Sequence, residues 1–599
     1  MFYMIPENND FNQYSPEPLN KEQIEAVLYG EGPMLISAGA GSGKTKTLTE
    51  RIIKLIDSGV PGNKILAITF TNKAAQELKG RVLKRIPHLL EYELPFLGTF
   101  HSFGAKILRE EAGSFKRSES YSIFDEDDSM RLIKKIIKSL NLPNEKYPAA
   151  KIKREVSSIK DQLVSTDGLK IEIRRVFEEY ENELLRQNSF DFDDLIQKPV
   201  ILLNRNEGIL EKHRTRYAYI LVDEFQDVNT GQYALVKLLA ESHRNLNVVG
   251  DDNQSIFKFR GADFRNFLAF EKDWPGAKAV NLGRNYRSSG NIVAASAAVI
   301  ENNKQRRKKE LWTKNPSGEP VRIVSAYGAR DEAETVANSI LRSSDKGSVA
   351  ILYRTNAQSR ELEQALNSLS IPYEIYGGLK FYDRKEIRDI IAGIRYAVNP
   401  RDESSLERLN KSLRRAQFRA LQERLPGAAQ SSSAEMLVEF FLKTAEYERL
   451  LKDKFDNYEE RVENINELKR FAGEFKTSVE FIERISLLES SDRSSTRNSA
   501  GRAVAVKLMT MHLSKGLEFD EVYLVGINEG LMPHERSLYS EEEIEEERRL
   551  MYVGMTRARK KLTISFYDFP SRFIYEIPDE LLAAGEGLPT IDEDGIIQK

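Results

Sequence analysis

Between Met34 and Thr45 the chain reads MLISAGAGSGKT, and far downstream Ile220 to Asp227 reads ILVDEFQD. The first run is an apolar strand entering a glycine-rich loop that ends in Lys-Thr. Gly39, Gly41 and Gly43 permit the tight backbone path that aims N–H groups at phosphate oxygens, and a following helix N-terminus adds a favourable field. In such a loop Lys44 reaches the β- and γ-phosphates and Thr45 ligates Mg²⁺, with Ala38, Ala40 and Ser42 completing the cradle. Ala38 stands where the pattern G-x-x-x-x-G-K-[ST] has its first glycine, and alanine is small enough to serve there. In the second run a strand delivers two adjacent carboxylates to its end, which is where open α/β sheets hold ligands. Asp223 is suited to holding Mg²⁺ in a shell shared with Thr45, and Glu224 to orienting and deprotonating an attacking water. Phosphoryl transfer needs positioning and charge neutralisation more than covalent chemistry, so these groups are a sufficient start. An acidic turn after a buried strand would explain ILVDEFQD alone, but not its pairing with the loop.

These residues need a sheet to carry them. Apolar runs MLISA, ILAITF, YILVDEF and LNVVGD each precede helix-compatible stretches, which predicts an α/β domain with a parallel sheet and helices on both faces. The stretch from Glu111 to Arg216 is charged and helix-periodic, with SMRLIKKIIKSL its clearest piece, and reads as a helical insertion. A second series, VRIVSAY, SVAILYR, VKLMTMH, DEVYLVG and KLTISF, predicts another sheet domain, split by a polar helix-rich stretch between Glu386 and Gly501 that includes Gln422 to Met436 and the linker-like SSDRSSTRNSAG. No internal repeat is evident.

Length alone, 599 residues, calls for several domains. With no cysteine there is no disulfide, thiolate zinc site or iron–sulfur cluster. The opening MFYMIPENNDFNQYSPEP lacks a cationic region followed by an apolar block, and no segment is long and apolar enough for a bilayer, so the expectation is a cytoplasmic protein without a membrane partner. Lys+Arg 89 against Asp+Glu 92 give a net charge of −3, so no global electrostatic footprint marks a nucleic-acid coat protein. A groove that grips a strand needs only local positive potential and stacking faces.

From LNKEQIEAV to EEERRLMYVGMTRARKKL, several motifs in order resemble those of the UvrD/Rep/PcrA-type superfamily 1 DNA helicases. The resemblance implies two RecA-like parallel-sheet P-loop domains, each interrupted by a mainly helical insertion. The expected boundaries are 1–110 and 201–283 for the first domain around an insertion at 111–200, 284–385 and 503–575 for the second around a reduced insertion at 386–502, and a short tail at 576–599. By the same resemblance Gln23 reads adenine, Tyr286 in RNYRS stacks on it, and Arg287 and Arg557 are arginines toward the γ-phosphate, Arg557 projecting from the second sheet domain. Spread guanidinium charge suits transferring oxygens, although a single arginine is ordinarily a surface ion pair. Gln254 is implied to link γ-phosphate to the strand-binding face, and Glu518 to contact ribose.

For single-stranded DNA, ITFTNKAAQEL and GTFHSF place Phe70, Thr71, Asn72, Thr99 and His101 at strand ends, where the family's loops track the strand. Phe257 and Phe259, with Arg260 beside them, resemble base-stacking positions. Relatives carry tyrosine and tryptophan there; phenylalanine keeps a stacking face but loses the hydroxyl and the larger indole, and core phenylalanines on an amphipathic strand are the other reading. Arg354, Asn356, Arg360, His512 and Lys515 are implied backbone contacts, His512 being otherwise a structural histidine. KQRRKK, Lys304 to Lys309, is a phosphate patch or a solvated charge run, and EEEIEEERR, Glu541 to Arg549, an exposed helix with an acidic start.

Where relatives have a glycine-containing duplex-contacting turn after an arginine, this chain reads NKSLRRAQFRALQERLPG, and it ends soon after PSRFIYEIP. The implied activity is an ATP- and Mg²⁺-dependent helicase moving 3′ to 5′ on single-stranded DNA, entering duplexes by a 3′ tail, cytoplasmic and nucleoid-associated, a monomer or weak dimer, in repair or replication. The alternatives are a translocase that strips bound proteins and unwinds weakly, and a nucleotide-gated DNA clamp without turnover. No fused nuclease motif is visible.

Overall fold

The computed structural model describes residues 18–583 apart from 88, 120, 125, 344–346, 377–380, 399, 401, 429–432, 483–484 and 486–505, together with 590–591 and 597–598. The linker-like SSDRSSTRNSAG therefore lies outside the described residues. The chain forms two compact units, one of residues 1–143, 152–287 and 304–314, the other of 144–151, 288–303 and 315–599.

The first unit is built on a six-stranded sheet. Its strands are β1 (Met34–Ala38), β2 (Ile65–Thr69), β3 (Phe96–Thr99), β4 (Tyr219–Val222), β5 (Leu246–Gly250) and β6 (Lys278–Leu282). They lie in the order β3-β2-β4-β5-β1-β6, every pair parallel. Residues of β1, β2 and β5 are buried throughout, as strands covered on both faces must be. One face packs Leu48, Ile52 and Leu55 of the helix Lys44–Asp57 against Ile65, Ala67 and Leu221. The other packs Phe100, Phe103 and Ile107 with Ile196, Val200 and Leu203 against Leu35, Leu66 and Ile68. Between β3 and β4 the chain adds the helices Glu126–Ser139 and Ile171–Arg186 and a short parallel pair, Ser122–Phe124 with Ser189–Asp191. There Lys160 is fully buried, its ammonium 2.8 Å from Asp191, 2.8 Å from Asp194 and 2.7 Å from Glu181.

The second unit repeats the architecture with β7 (Arg322–Ala326), β8 (Val349–Tyr353), β9 (Tyr373–Ile375), β10 (Val506–Thr510), β11 (Phe519–Leu524) and β12 (Ala558–Tyr567). The order is β7-β12-β11-β8-β10-β9, again all parallel. Between β9 and β10, helices including Lys385–Val398, Arg415–Ala428, Ala434–Thr444 and Tyr458–Gly473 enclose a core of their own that contains Ile390, Ile394, Leu421, Leu437, Phe441 and Phe471. The molecule is thus α/β, two parallel-sheet domains with helical elaborations. Among the described residues no helix is long and apolar enough to cross a membrane.

One expectation is corrected here. The helix Glu541–Met555 exposes little beyond its first turn: Glu545, Glu547, Arg548 and Arg549 are buried. Their charges are paired, Glu547 with Arg354 and Arg548 with Glu576 at 2.7 Å, which is how a charged run enters a core.

Candidate active site and nucleic-acid interface

The glycine-rich loop leaves β1 at its carboxyl end and is pinned from three sides. The Gly39 amide donates to Leu282 O on β6 (3.1 Å), the Ser42 hydroxyl to Gly39 O (2.8 Å) and the Tyr286 amide to Gly41 O (2.9 Å). Asn285 ties the same region together, its side-chain amide donating to Ala40 O (2.8 Å) and its oxygen accepting from the Arg287 amide (2.7 Å). Gly43 begins the helix in the left-handed region at φ 82°, and a Cβ there would stand 2.8 Å from Gln23 Nε2, so both backbone and neighbour require glycine. Gln23 completes the capping box that Asn20 opens on the helix Lys21–Leu28 and donates to Ser42 O at 3.0 Å, which brings the expected adenine reader against the loop.

Lys44 Nζ is buried with no hydrogen-bond partner, and its nearest anion is Glu224 at 3.9 Å. An ammonium without a hydrogen-bond partner at the mouth of a glycine cradle fits a polyphosphate. Asp223, 3% exposed, accepts from the Glu224 amide (2.9 Å) and from the Thr45 hydroxyl. Burial, and then the adjoining Glu224 charge, push Asp223 up to about 7, against the pull of Lys44. One buried carboxylate beside one hydroxyl fits Mg²⁺, which takes few protein ligands and completes its octahedron with phosphate and water. Among the described residues no cluster of three or more His, Cys, Asp or Glu could hold a metal by itself. Glu224 has φ 52°, a strained setting for a residue with a side chain and one that functional sites tolerate.

Beyond Glu224 runs a chain of hydrogen bonds that no spacing rule reveals. Gln226 Nε2 donates to Glu224 Oε2 (2.6 Å), and Gln226 Oε1 accepts from the Asp251 amide (2.8 Å). Asp251 Oδ2 in turn accepts from Gln254 Nε2 (2.6 Å). Lys309 ends the series, its buried ammonium bonded to Asp251 and, at 2.7 Å, to Asp252. Burial pushes Asp251 up, but Lys309 and Lys44 outweigh it and hold the carboxyl below its ordinary value. Neither reading of KQRRKK survives for Lys309, whose side chain is 1% exposed and is an internal counter-ion.

Three residues past Gln254 the site meets an aromatic face. Phe257 stacks on Phe70, centroids 5.5 Å apart and 13° from parallel, and Phe259 meets Phe257 edge-on while remaining 67% exposed. Thr71 and Thr99 both act as helix N-caps, accepting from Ala74 and Ser102 amides, and Asn72 is exposed. His101 stacks on Phe192 with centroids 4.0 Å apart, and burial, partly offset by Asp193, lowers its pKa to about 4. It is therefore a neutral ring. Phe192, 53% exposed, was not singled out from sequence, because an isolated phenylalanine in FDFDD carries no pattern. Arg260 belongs to the turn Lys258–Arg260, and its side chain lies outside the described ones. Tyr286 is half-buried, with the Arg284 guanidinium over its ring at 4.4 Å.

In the second unit several expected contacts are engaged internally. Arg557 does not project: its guanidinium is buried, donating to Val553 O (2.8 Å), Leu517 O (3.1 Å) and Thr556 Oγ1 (3.1 Å). Arg360, expected against the strand, is also buried, pairing with Glu361 and with Glu467 at 3.0 Å and lying 4.0 Å over Phe471. The helix Tyr458–Gly473, which supplies Glu467 and Phe471, is what absorbs it. Arg354 is bidentate on Glu547, Asn356 bonds Glu460, and Glu518 pairs with Arg559. His512 and Lys515 lie half-buried in the turn after β10.

A phosphate loop and a strand-end carboxylate on one sheet, beside stacked phenylalanines, define a nucleotide-driven motor class. The UvrD/REP helicase N-terminal domain matches residues 19–275, and the UvrD-like helicase C-terminal domain matches 280–459 and 442–568. The chain belongs to the UvrD-like helicase family. It is 37% identical to the ATP-dependent DNA helicase PcrA of Staphylococcus epidermidis over 647 aligned positions, covering 95% of this chain and 87% of that protein. It is 39% identical to the probable DNA helicase II homolog of Rickettsia conorii, covering 95% of this chain and 97% of the relative. PcrA of Staphylococcus aureus aligns at 37% identity over 94% of this chain and 87% of its own length.

Proposed function

We propose that this ATP-dependent DNA helicase of the UvrD type moves 3′ to 5′ along single-stranded DNA and enters duplexes from a 3′ single-stranded tail. The observation that carries the coupling of fuel to strand is the hydrogen-bonded series Glu224–Gln226–Asp251–Gln254, which ends three residues from the Phe257–Phe70 stack. Polarity rests on family likeness. Lys44 and Arg287 neutralise charge on the transferring phosphoryl group and Glu224 orients and deprotonates the attacking water, while Thr45 with Asp223 would hold Mg²⁺, whose positive charge would offset that of the phosphate. Gln23 and Tyr286 take the base. Arg557 joins on resemblance alone and must first leave its internal carbonyl partners. Bases stack on Phe259, Phe257 and Phe70, the loops of Thr71, Asn72, Thr99 and His101 follow the strand, and His512 and Lys515 meet its phosphates. States that differ in nucleotide hold DNA with different affinity, as linkage requires. We place the protein in the cytoplasm on the nucleoid, in repair or replication, as a monomer or weak dimer.

One observation favours weak unwinding with displacement of bound proteins. The segment NKSLRRAQFRALQERLPG, where a duplex-contacting glycine turn is expected, forms the end of one helix, Glu403–Ser412, and all but the last residue of the next, Arg415–Ala428. Unwinding of duplexes with 3′ or 5′ tails, measured beside displacement of a protein bound to single-stranded DNA, decides both points. Unwinding from 5′ tails alone refutes the assigned direction. Lys44→Ala and Glu224→Gln are each expected to abolish ATP turnover while leaving oligonucleotide binding within about threefold. Full turnover by Glu224→Gln removes the assigned base.

A further inference from the structure

Residues 304–314 belong to the first unit although the chain on either side of them belongs to the second. This strap touches three parts of the nucleotide site. Lys309 holds Asp251 and Asp252, and the Arg307 amide donates to Asp252 Oδ2 at 2.7 Å. The Leu311 side chain fills the space beside Gly39, where an added Cβ would approach its Cδ2 to 2.4 Å. Trp312 and Thr313 pair in parallel with Arg284 and Asn285, and the Thr313 hydroxyl donates to Asn285 O at 2.8 Å. One short segment thus fastens the phosphate loop, the Tyr286–Arg287 segment and the Gln254 segment to one another.

We infer that Lys309 is a positioning residue for ATP hydrolysis, acting through Asp251 on Gln254 and, by way of Gln226, on Glu224. The chemistry follows from what each carboxylate oxygen does. Asp251 Oδ1 takes Lys309, and Asp251 Oδ2 takes Gln254. With Lys309 in place the carboxylate plane is fixed, so the Gln254 amide is fixed, and the Asp251 backbone amide stays aimed at Gln226 Oε1. Without the ammonium, Asp251 Oδ1 keeps the Asn253 amide at 3.2 Å in place of a buried charge-assisted bond, so the carboxylate plane loosens and the series to Glu224 slackens. No atom of Lys309 need touch nucleotide for this. The effect falls on the chemical step, because ATP is gripped by the phosphate loop and Lys44, which Lys309 does not contact by any hydrogen bond in this structure.

The inference rests on the roles given above to Glu224 and Gln254, and the test separates the two. Lys309→Met combined with Asp252→Asn keeps the net charge of the cluster, one carboxylate in place of two carboxylates and an ammonium, while removing the brace on Asp251. Turnover is measured with saturating oligonucleotide, per molecule able to bind a fluorescent ATP analogue, so that misfolded material is not counted. The double variant is expected to lose kcat by about tenfold or more with KM for ATP within about threefold. Glu224→Gln, assayed alongside, must be inactive if the underlying reading holds. A double variant with wild-type kcat beside an inactive Glu224→Gln overturns the role of Lys309 and leaves that reading standing. A rise in KM matching the loss of kcat overturns it as well, since it marks general disorder of the loop. An active Glu224→Gln overturns the reading itself.

Discussion

At the scale of single residues, the site rests on groups whose cost is visible in their geometry. Gly43→Ala forces a left-handed backbone on a residue with a Cβ and presses that Cβ on Gln23. The strain is about 1–2 kcal/mol, so KM for ATP is expected to rise by about 5- to 30-fold in steady-state turnover. Phe259→Ala removes the most exposed face of the aromatic group and is expected to weaken single-strand binding by about 1–3 kcal/mol in a fluorescence titration, for any base sequence alike. The glycines, Lys44, Thr45, Asp223 and Glu224 could be proposed from sequence because phosphate recognition requires such types at fixed spacing, and the fold brings them together at the strand ends. Gln226, Asn285, Lys309 and Phe192 could not. Each acts through partners dozens of residues away, and a lone buried polar or aromatic residue leaves no periodic trace. The internal partners of Arg557 and Arg360 were illegible for the same reason: resemblance supplied an identity for each, whereas nearby acceptors decide where a guanidinium points.

At the scale of elements, parallel sheets wrote themselves plainly where strands are covered on both faces. The runs that became β1, β2, β4, β5, β7, β8, β10, β11 and β12 were all readable as apolar segments, and of these only β7 is a sheet edge. Three strands are absent from those apolar runs, β3, β6 and β9, and all three are sheet edges, although GTFHSF did mark Thr99 as the end of β3. Their burial is broken, intermediate at both ends of β9 and exposed in its middle, so the hydrophobic signal that marks an inner strand is diluted. Buried charge gives two further tests. Glu332, on the helix Ala329–Arg342, accepts from the Gly526 amide at 2.9 Å, and burial raises its pKa to about 7. The folded state then holds a proton that the unfolded state has released, so this group's contribution is complete below about pH 4.5 and falls away as pH rises through 7. Glu332→Gln is expected to leave melting unchanged near pH 4.5 and to stabilise the protein at pH 8 by up to about 3 kcal/mol. Equal melting temperatures at pH 8 would refute this. Lys160→Met strands Asp191 and Asp194 without their counter-ion and is expected to cost about 3–5 kcal/mol in chemical denaturation.

At the scale of the whole molecule, a net charge of −3 leaves DNA binding to a few local cations and to stacking. The logarithm of single-strand affinity against the logarithm of salt concentration is expected to show a shallow slope, made less steep by about 0.7 in Lys515→Ala and unaltered in Phe259→Ala. Equal slopes in wild type and Lys515→Ala would remove Lys515 from the phosphate contacts. The relatives support the family over nearly the full chain, so oligonucleotide-stimulated ATP turnover is the expected behaviour of the intact protein. An identical rate with and without oligonucleotide would deny the coupling.

The strap at 304–314 also dictates a timetable for biosynthesis. A ribosome that has delivered all six strands of the first sheet has still not delivered Lys309, and it must thread sixteen residues of the other unit, 288–303, before it does. Until then the nascent first half carries Asp251 and Asp252 without the ammonium that bonds them both. Such a half-made product invites chaperone attention and proteolysis. Expression of fragments that stop short of residue 314 should therefore yield aggregates, and dissection of the motor into halves must carry this peptide along with the first.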